Sequence, residues 1–417
     1  MKSHTLRIPR GKVCASMAFA VGFIAVVGSV QSQESPHLAQ NAAAPQLPSS
    51  DAGAGGAAVQ GGCHFYDDDS IIDVLVVYTA RARLLNESND IDAYIQAHVD
   101  TMNEILRNSR AFPRIQVVHS EEVVYDEGLC TCNSASGVNN DTTIDRLLDP
   151  DDGYLDGIFA LRDTYHADIV LMITGCNNCG GVAACNRPGG DQYILDESGG
   201  FAVVDSFWPI AFPWGAAHEL GHVLGCGHNR DAEYCGPGCP RNCRAYPYSY
   251  GYDYVGDGGQ WRSTIMSYGP TLCSGTVGGL ACQLVNHNSD CPVGQDCKHL
   301  PPPKIPYYSN PEVSFDGVPT GLPVGDPNAA NNVLTINAAA FTVANYRQRP
   351  GNVWVDFANS GFEFGCFEFP FDTLGEGLSN VPDHGTLIFK AGSTSATGEI
   401  AERITLKAFG GTVRIGE

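Results

Sequence analysis

From position 71 onward, short apolar runs alternate with stretches in which apolar residues recur at helical spacing. IIDVLVVYTA (71–80) is β-branched with one polar position, and predicts a buried strand. Ile91, Ile95, Val99, Met102, Ile105 and Leu106 follow near the 3.6-residue period, so a helix is predicted from Asp90 to about Asn108. PRIQVVHSEEVVY (113–125) reads as a second strand, and residues 141–166 as helical segments. ADIVLMIT (167–174) is apolar on both faces and reads as a central strand. FAVVDSFW (201–208) reads as an edge strand, and AAAFTVANYRQ (338–348) as a closing helix. Strands alternating with helices predict an α/β fold. After Pro350-Gly351, residues 350–417 alternate β-type residues with turns, as in GTLIFKAG and GGTVRIG, and read as a small all-β module. Its runs weakly resemble the coils of right-handed β-helix proteins.

The N-terminal pattern differs. Lys2, Arg7, Arg10 and Lys12 precede an apolar stretch at 15–28, which is short for a membrane span. Small residues around Ser32 complete the pattern of a secretory signal peptide over 1–32. Residues 33–70, rich in Ala, Gly, Gln and Pro at first, read as a disordered linker or short pro-segment. The domain expected between these ends is 71–349.

Charge and cysteine content narrow the function. With 24 basic and 46 acidic residues, the formal charge is −22. That balance argues against nucleic-acid partners, which need clustered Lys and Arg. It fits a secreted, extracellular or periplasmic monomer acting on protein or peptide substrates, without membrane insertion. Of 16 cysteines, all but Cys14 lie beyond the signal. In an exported chain this density predicts disulfides, and the odd number leaves one thiol over. The sets Cys176/Cys179/Cys185 and Cys235/Cys239/Cys243 allow a second metal site but are read as disulfides.

The densest chemistry is HELGHVLGCGH, residues 218–228. His218 and His222 are one helical turn apart and face the same way, as two ligands of one tetrahedral zinc require. Glu219 is rotated about 100° from His218, so it flanks the metal within reach of its water. Gly225 accepts the left-handed conformation that ends a helix, and the chain reversal brings His228 to the same ion. A plain structural helix would explain the two helical histidines but not Gly225 or His228.

These residues resemble the zinc signature of the metzincin metallopeptidases, with the reprolysin-like and secreted bacterial members nearest. Ser263–Tyr268 (STIMSY) resembles the family's methionine turn, with Met266 as the structural methionine beneath the metal. The resemblance spans about 71–349. It implies a twisted mixed sheet with helices, an active-site helix and an irregular disulfide-rich lower subdomain. It also implies a zinc endopeptidase with His218, His222 and His228 on the metal, and hydrolysis by metal-activated water with Glu219 as general base. Tyr268 resembles the tyrosine that some members place near the metal to stabilise an oxyanion. Asn229, after the third histidine, does not match the familiar subfamilies. The competing reading is a non-catalytic, zinc-containing binding or adhesion protein.

Two weaker readings remain. Cys63 invites comparison with a thiolate that keeps a pro-enzyme latent, against an ordinary disulfide. The acidic runs Asp67–Asp69 and Asp149–Asp152 offer oxygen ligands for calcium, although their spacing matches no EF-hand.

Overall fold

The computed structural model describes residues 28–30, 63–85, 90–128, 140–175, 180–184, 195–205, 212–230, 244–269, 271–274, 296–299, 303–400 and 403–416. All of the expected signal but Gly28–Val30, most of the expected linker, and the Cys176/Cys179/Cys185 and Cys235/Cys239/Cys243 sets lie outside the described residues.

Among the described residues, the main sheet has five strands. Their spatial order is Arg114–Val123, Ile71–Thr79, Ile169–Thr174, Phe201–Asp205 and Gly181–Ala183. The first four run parallel, and Gly181–Ala183 is antiparallel to Phe201–Asp205. Phe201–Asp205 is therefore paired on both sides and is not the edge strand that its sequence suggested. The edge is Gly181–Ala183, three residues inside a Gly- and Cys-rich stretch, too short to show a period.

Alternation along the strands divides the core. Ile72, Val74 and Val76, with Ile169, Leu171 and Ile173, face a layer made by the helices Ile91–Asn108, Phe212–Val223 and Asn332–Val343. Leu75, Val77, Val170, Met172 and Val203 face the other way, toward Ile144 and Leu147 of helix Asn140–Leu148 and Ile158 of helix Gly157–Thr164. Helix Ile91–Asn108 starts where Asp90 accepts a hydrogen bond from the Ala93 N–H at 3.0 Å, a side-chain N-cap. The closing helix begins at Asn332, six residues before its apolar run, because Asn331 caps it by accepting from the Leu334 N–H at 3.0 Å.

The C-terminal module is not all-β. Strands Asn352–Val355, Thr386–Thr394 and Thr405–Ile415 are parallel neighbours. Gly28–Val30 lies antiparallel beside the last of them. Parallel neighbours need a crossover, and the first includes a helix, Leu374–Asn380. Thr373 caps it, its hydroxyl accepting from the Glu376 N–H at 3.2 Å and donating to the Glu376 carboxylate at 2.5 Å.

Residues 63–70 join the C-terminal module to the body that carries the five-stranded sheet and are not a loose linker. Cys63 forms a disulfide with Cys366, which removes it as a thiolate switch. Tyr66 is buried against Phe341, Trp354, Phe367 and Ile388, and its carbonyl accepts from the Trp354 indole at 2.8 Å. Asp67 and Asp68 are engaged by Asn352, the Arg349 N–H, Lys407 and Ser70. Asp149 and Asp152 cap local turns by accepting from the N–H groups of Asp151 and Tyr154. Arg349 also makes a two-pronged ion pair with Asp73 at the sheet margin. One planar guanidinium thereby fixes the orientation of the junction.

Candidate metal centre

The site is built on helix Phe212–Val223, whose Ala216, Ala217, Leu220 and Val223 are buried against the sheet. Small residues on that face let the helix lie close to the strands. His218, Glu219 and His222 are each about 5% exposed. The His218 Nδ1–H donates to the Ile265 carbonyl at 2.9 Å, and the His222 Nδ1–H to the Cys226 carbonyl at 2.8 Å. Those bonds fix both tautomers, so each Nε2 presents a lone pair. The two Nε2 atoms lie 3.1 and 2.9 Å from Nε2 of His228.

The helix ends in a Schellman turn. The Cys226 N–H donates to the Gly221 carbonyl at 2.8 Å, and the Gly225 N–H to the His222 carbonyl at 2.9 Å. Gly225 has φ +83°, a left-handed value that a Cβ disfavours by about 1–2 kcal/mol. This turn does two jobs. It aims the Cys226 carbonyl at His222, and it sends the chain back to place His228. Gly225→Ala is therefore expected to lower stability by about 1 kcal/mol and also to weaken zinc retention. Denaturant unfolding together with a zinc-chelator competition would measure both. Unchanged zinc affinity would show that the turn does not set the third histidine.

Close approach around Glu219 and Met266 depends on glycines. A Cβ on Gly181 of the edge strand would stand 2.5 Å from the Glu219 side chain. A Cβ on Gly221 would stand 2.5 Å from the Met266 sulfur, and one on Gly251 2.8 Å from the Met266 backbone. Met266 is fully buried directly beneath the helical turn that carries Glu219 and His222. Tyr308 also holds the helix, donating its hydroxyl to the Ala217 carbonyl at 2.5 Å.

The ring of Tyr268 lies with its centroid 4.4 Å from that of His228 and 5.4 Å from that of His218. Although 47% of the residue is exposed, surrounding protein and the Glu219 carboxylate push its phenol pKa upward, so it stays protonated. Asn229 holds it there. The Asn229 amide accepts from the Tyr268 N–H and donates to the Gly269 carbonyl, both at 3.1 Å. The residue that fits no familiar subfamily thus ties the third-histidine loop to the methionine turn. Lys304 escaped the sequence reading altogether. Its ammonium donates to the carbonyls of Ile265 (2.8 Å) and Ser267 (2.7 Å), on either side of Met266.

Burial is the main reason the imidazoles stay neutral. It holds His218 and His228 well below the usual histidine range and lowers His222 to about 4; the Lys304 charge adds to all three. Neutral rings with converging lone pairs repel unless a cation lies among them. The site fits zinc on this ground: His218, His222 and His228 bring three imidazole nitrogens to close quarters, a donor set that would suit zinc. The three histidines singled out in the sequence come together in the structure as a potential metal site, beside Glu219, Met266 and Tyr268.

Residues 68–271 match the reprolysin model of metallo-peptidase family M12. The chain is similar to a peptidyl-Asp metalloendopeptidase of Stenotrophomonas maltophilia, with 28% identity over 66% of this chain and 52% of the relative. The protein of that name from Xanthomonas campestris pv. campestris is 26% identical over the same shares. The chain spans about half the length of these curated relatives.

Proposed function

Because residues 68–271 make up a metzincin-type zinc metallopeptidase domain, we propose that the chain is an exported zinc endopeptidase that cleaves proteins at aspartate. The observation that carries the reading is a buried carboxylate, Glu219, on the same helical turn as converging histidine nitrogens. Export is supported by the signal-like N-terminus. No described helix is long and apolar enough to cross a membrane. The aspartate preference comes from the relatives' name.

Bound at His218, His222 and His228, zinc would acidify a water molecule and polarise the scissile carbonyl. Glu219 would accept a proton from the attacking water and deliver it to the leaving amine, so no covalent intermediate on the protein is required. An extended substrate pairing with the outer side of Gly181–Ala183 would be led past the Glu219 carboxylate. Tyr268 keeps its phenolic proton and can donate it in a hydrogen bond to the developing oxyanion.

The test is cleavage of a proteome-derived peptide library by the purified protein, with new termini mapped by mass spectrometry. Cleavage should stop with a zinc chelator, return with added zinc, and yield termini with aspartate enriched on one side of the cut. Zinc binding without cleavage would leave the non-catalytic binding protein as the better reading. Cleavage without aspartate enrichment would sink the specificity alone.

A further inference from the structure

Residues 303–308 run alongside 263–265 as the chain enters the methionine turn, with bonds from Ile305 N–H to the Ser263 carbonyl and from Ile265 N–H to the Tyr307 carbonyl. Lys304 points from that segment into the site. Its Nζ shares the Ile265 carbonyl with the His218 ring and lies 5.8 Å from the centroid of Tyr268. Two of its N–H donors are bound to carbonyls. Among the described residues, no carboxylate comes within ion-pair distance of it. Asp253 and Glu219 attract it only across space, and Asp253 is already held by the Ser263 and Ser267 hydroxyls, so a largely desolvated ammonium with no contacting counter-ion is stabilised by an incoming anion. Burial lowers the Lys304 pKa to about 8, so it is still mostly charged at neutral pH. Glu219, the nearby acid that acts on it most after Asp253, is committed to the reaction. Among the described residues, the neighbouring cations are engaged: Arg262 pairs with Asp316, and Arg230 and Arg244 lie over Tyr250.

We propose that Lys304 is the specificity-determining residue, its third N–H pairing with the carboxylate of an acidic substrate side chain beside the scissile bond. This inference rests on the aspartate-directed endopeptidase reading and gives it a residue. Asparagine has nearly the same shape as aspartate but no charge. The ratio of kcat/KM for matched Asp and Asn peptides therefore isolates the contact from the turn-bracing role of the same ammonium. A charge-assisted hydrogen bond gives an Asp-over-Asn ratio of about 10- to 100-fold.

The experiment measures that ratio in the zinc-loaded wild type, Lys304→Gln and Lys304→Arg. The wild type should prefer Asp. Lys304→Gln should bring the ratio close to one, and Lys304→Arg should keep part of the preference. A wild type with no preference overturns the aspartate reading itself. A preference that persists in Lys304→Gln overturns only the role of Lys304. Should the variants not fold, the wild type is treated with a peptide carrying an amine-reactive ester of the aspartate side chain. Acylation should map to Lys304 and be blocked by the Asp peptide but not by the Asn peptide. Labelling confined to other lysines overturns the proposal.

Discussion

Glu219→Gln is expected to lower kcat by about 10²–10⁴-fold while leaving bound zinc and KM nearly unchanged. Glutamine has almost the same shape, so the close packing against Gly181 survives. Its amide cannot accept the proton of the attacking water. The three histidines are untouched, and the Nδ1 contacts of His218 to Ile265 and of His222 to Cys226 do not involve the carboxylate. Single-turnover kinetics with metal analysis on the same sample checks this. A variant that keeps more than about a tenth of the rate would show that Glu219 is not the base, and Tyr268 would become the next group to test.

His222→Ala should have the largest effect on the metal and on folding together. Wild-type stability should rise with free zinc, by about 2.7 kcal/mol at a concentration 100 times Kd. The variant should lose that zinc-dependent gain and have no detectable activity. It also strands the Cys226 carbonyl, which accepts from the His222 ring in a buried position. An unsatisfied buried acceptor is worth about 1–3 kcal/mol even without metal. Thermal melts of both proteins across a zinc series separate the two contributions: one depends on zinc, and the other does not. If the variant binds zinc as tightly as the wild type, the assignment of His222 as a ligand is wrong.

The metal centre was legible because its main parts lie within eleven consecutive positions. Helical geometry fixes how His218, Glu219 and His222 face one another, and a glycine at the right place implies a chain reversal. What surrounds the centre was not legible. Lys304, Asn229 and Gly181 act through contacts with residues distant in the chain, and nothing local in PPPKIPYY or CGGVAAC announces them. The parallel strands Ile71–Thr79 and Ile169–Thr174 were readable because burial on both faces makes them almost continuously apolar. Gly181–Ala183 was missed because three residues carry no period, and its neighbour Phe201–Asp205 was consequently placed at the edge. The closing helix was read six residues late because Asn331-Asn332 looks like loop until its capping bond is seen. Residues 63–70 were read with the linker before them, since composition cannot show that Tyr66 inserts beside Trp354.

The Cys63–Cys366 bond, spanning 303 positions, closes the five-stranded sheet and the three histidines into one covalent ring. A protease in a proteolytic environment is exposed to cuts in its own surface loops. One backbone cut anywhere between these cysteines opens the ring but releases no fragment. A nicked molecule therefore keeps both halves of its site and its C-terminal module on one tether until a reductant severs it.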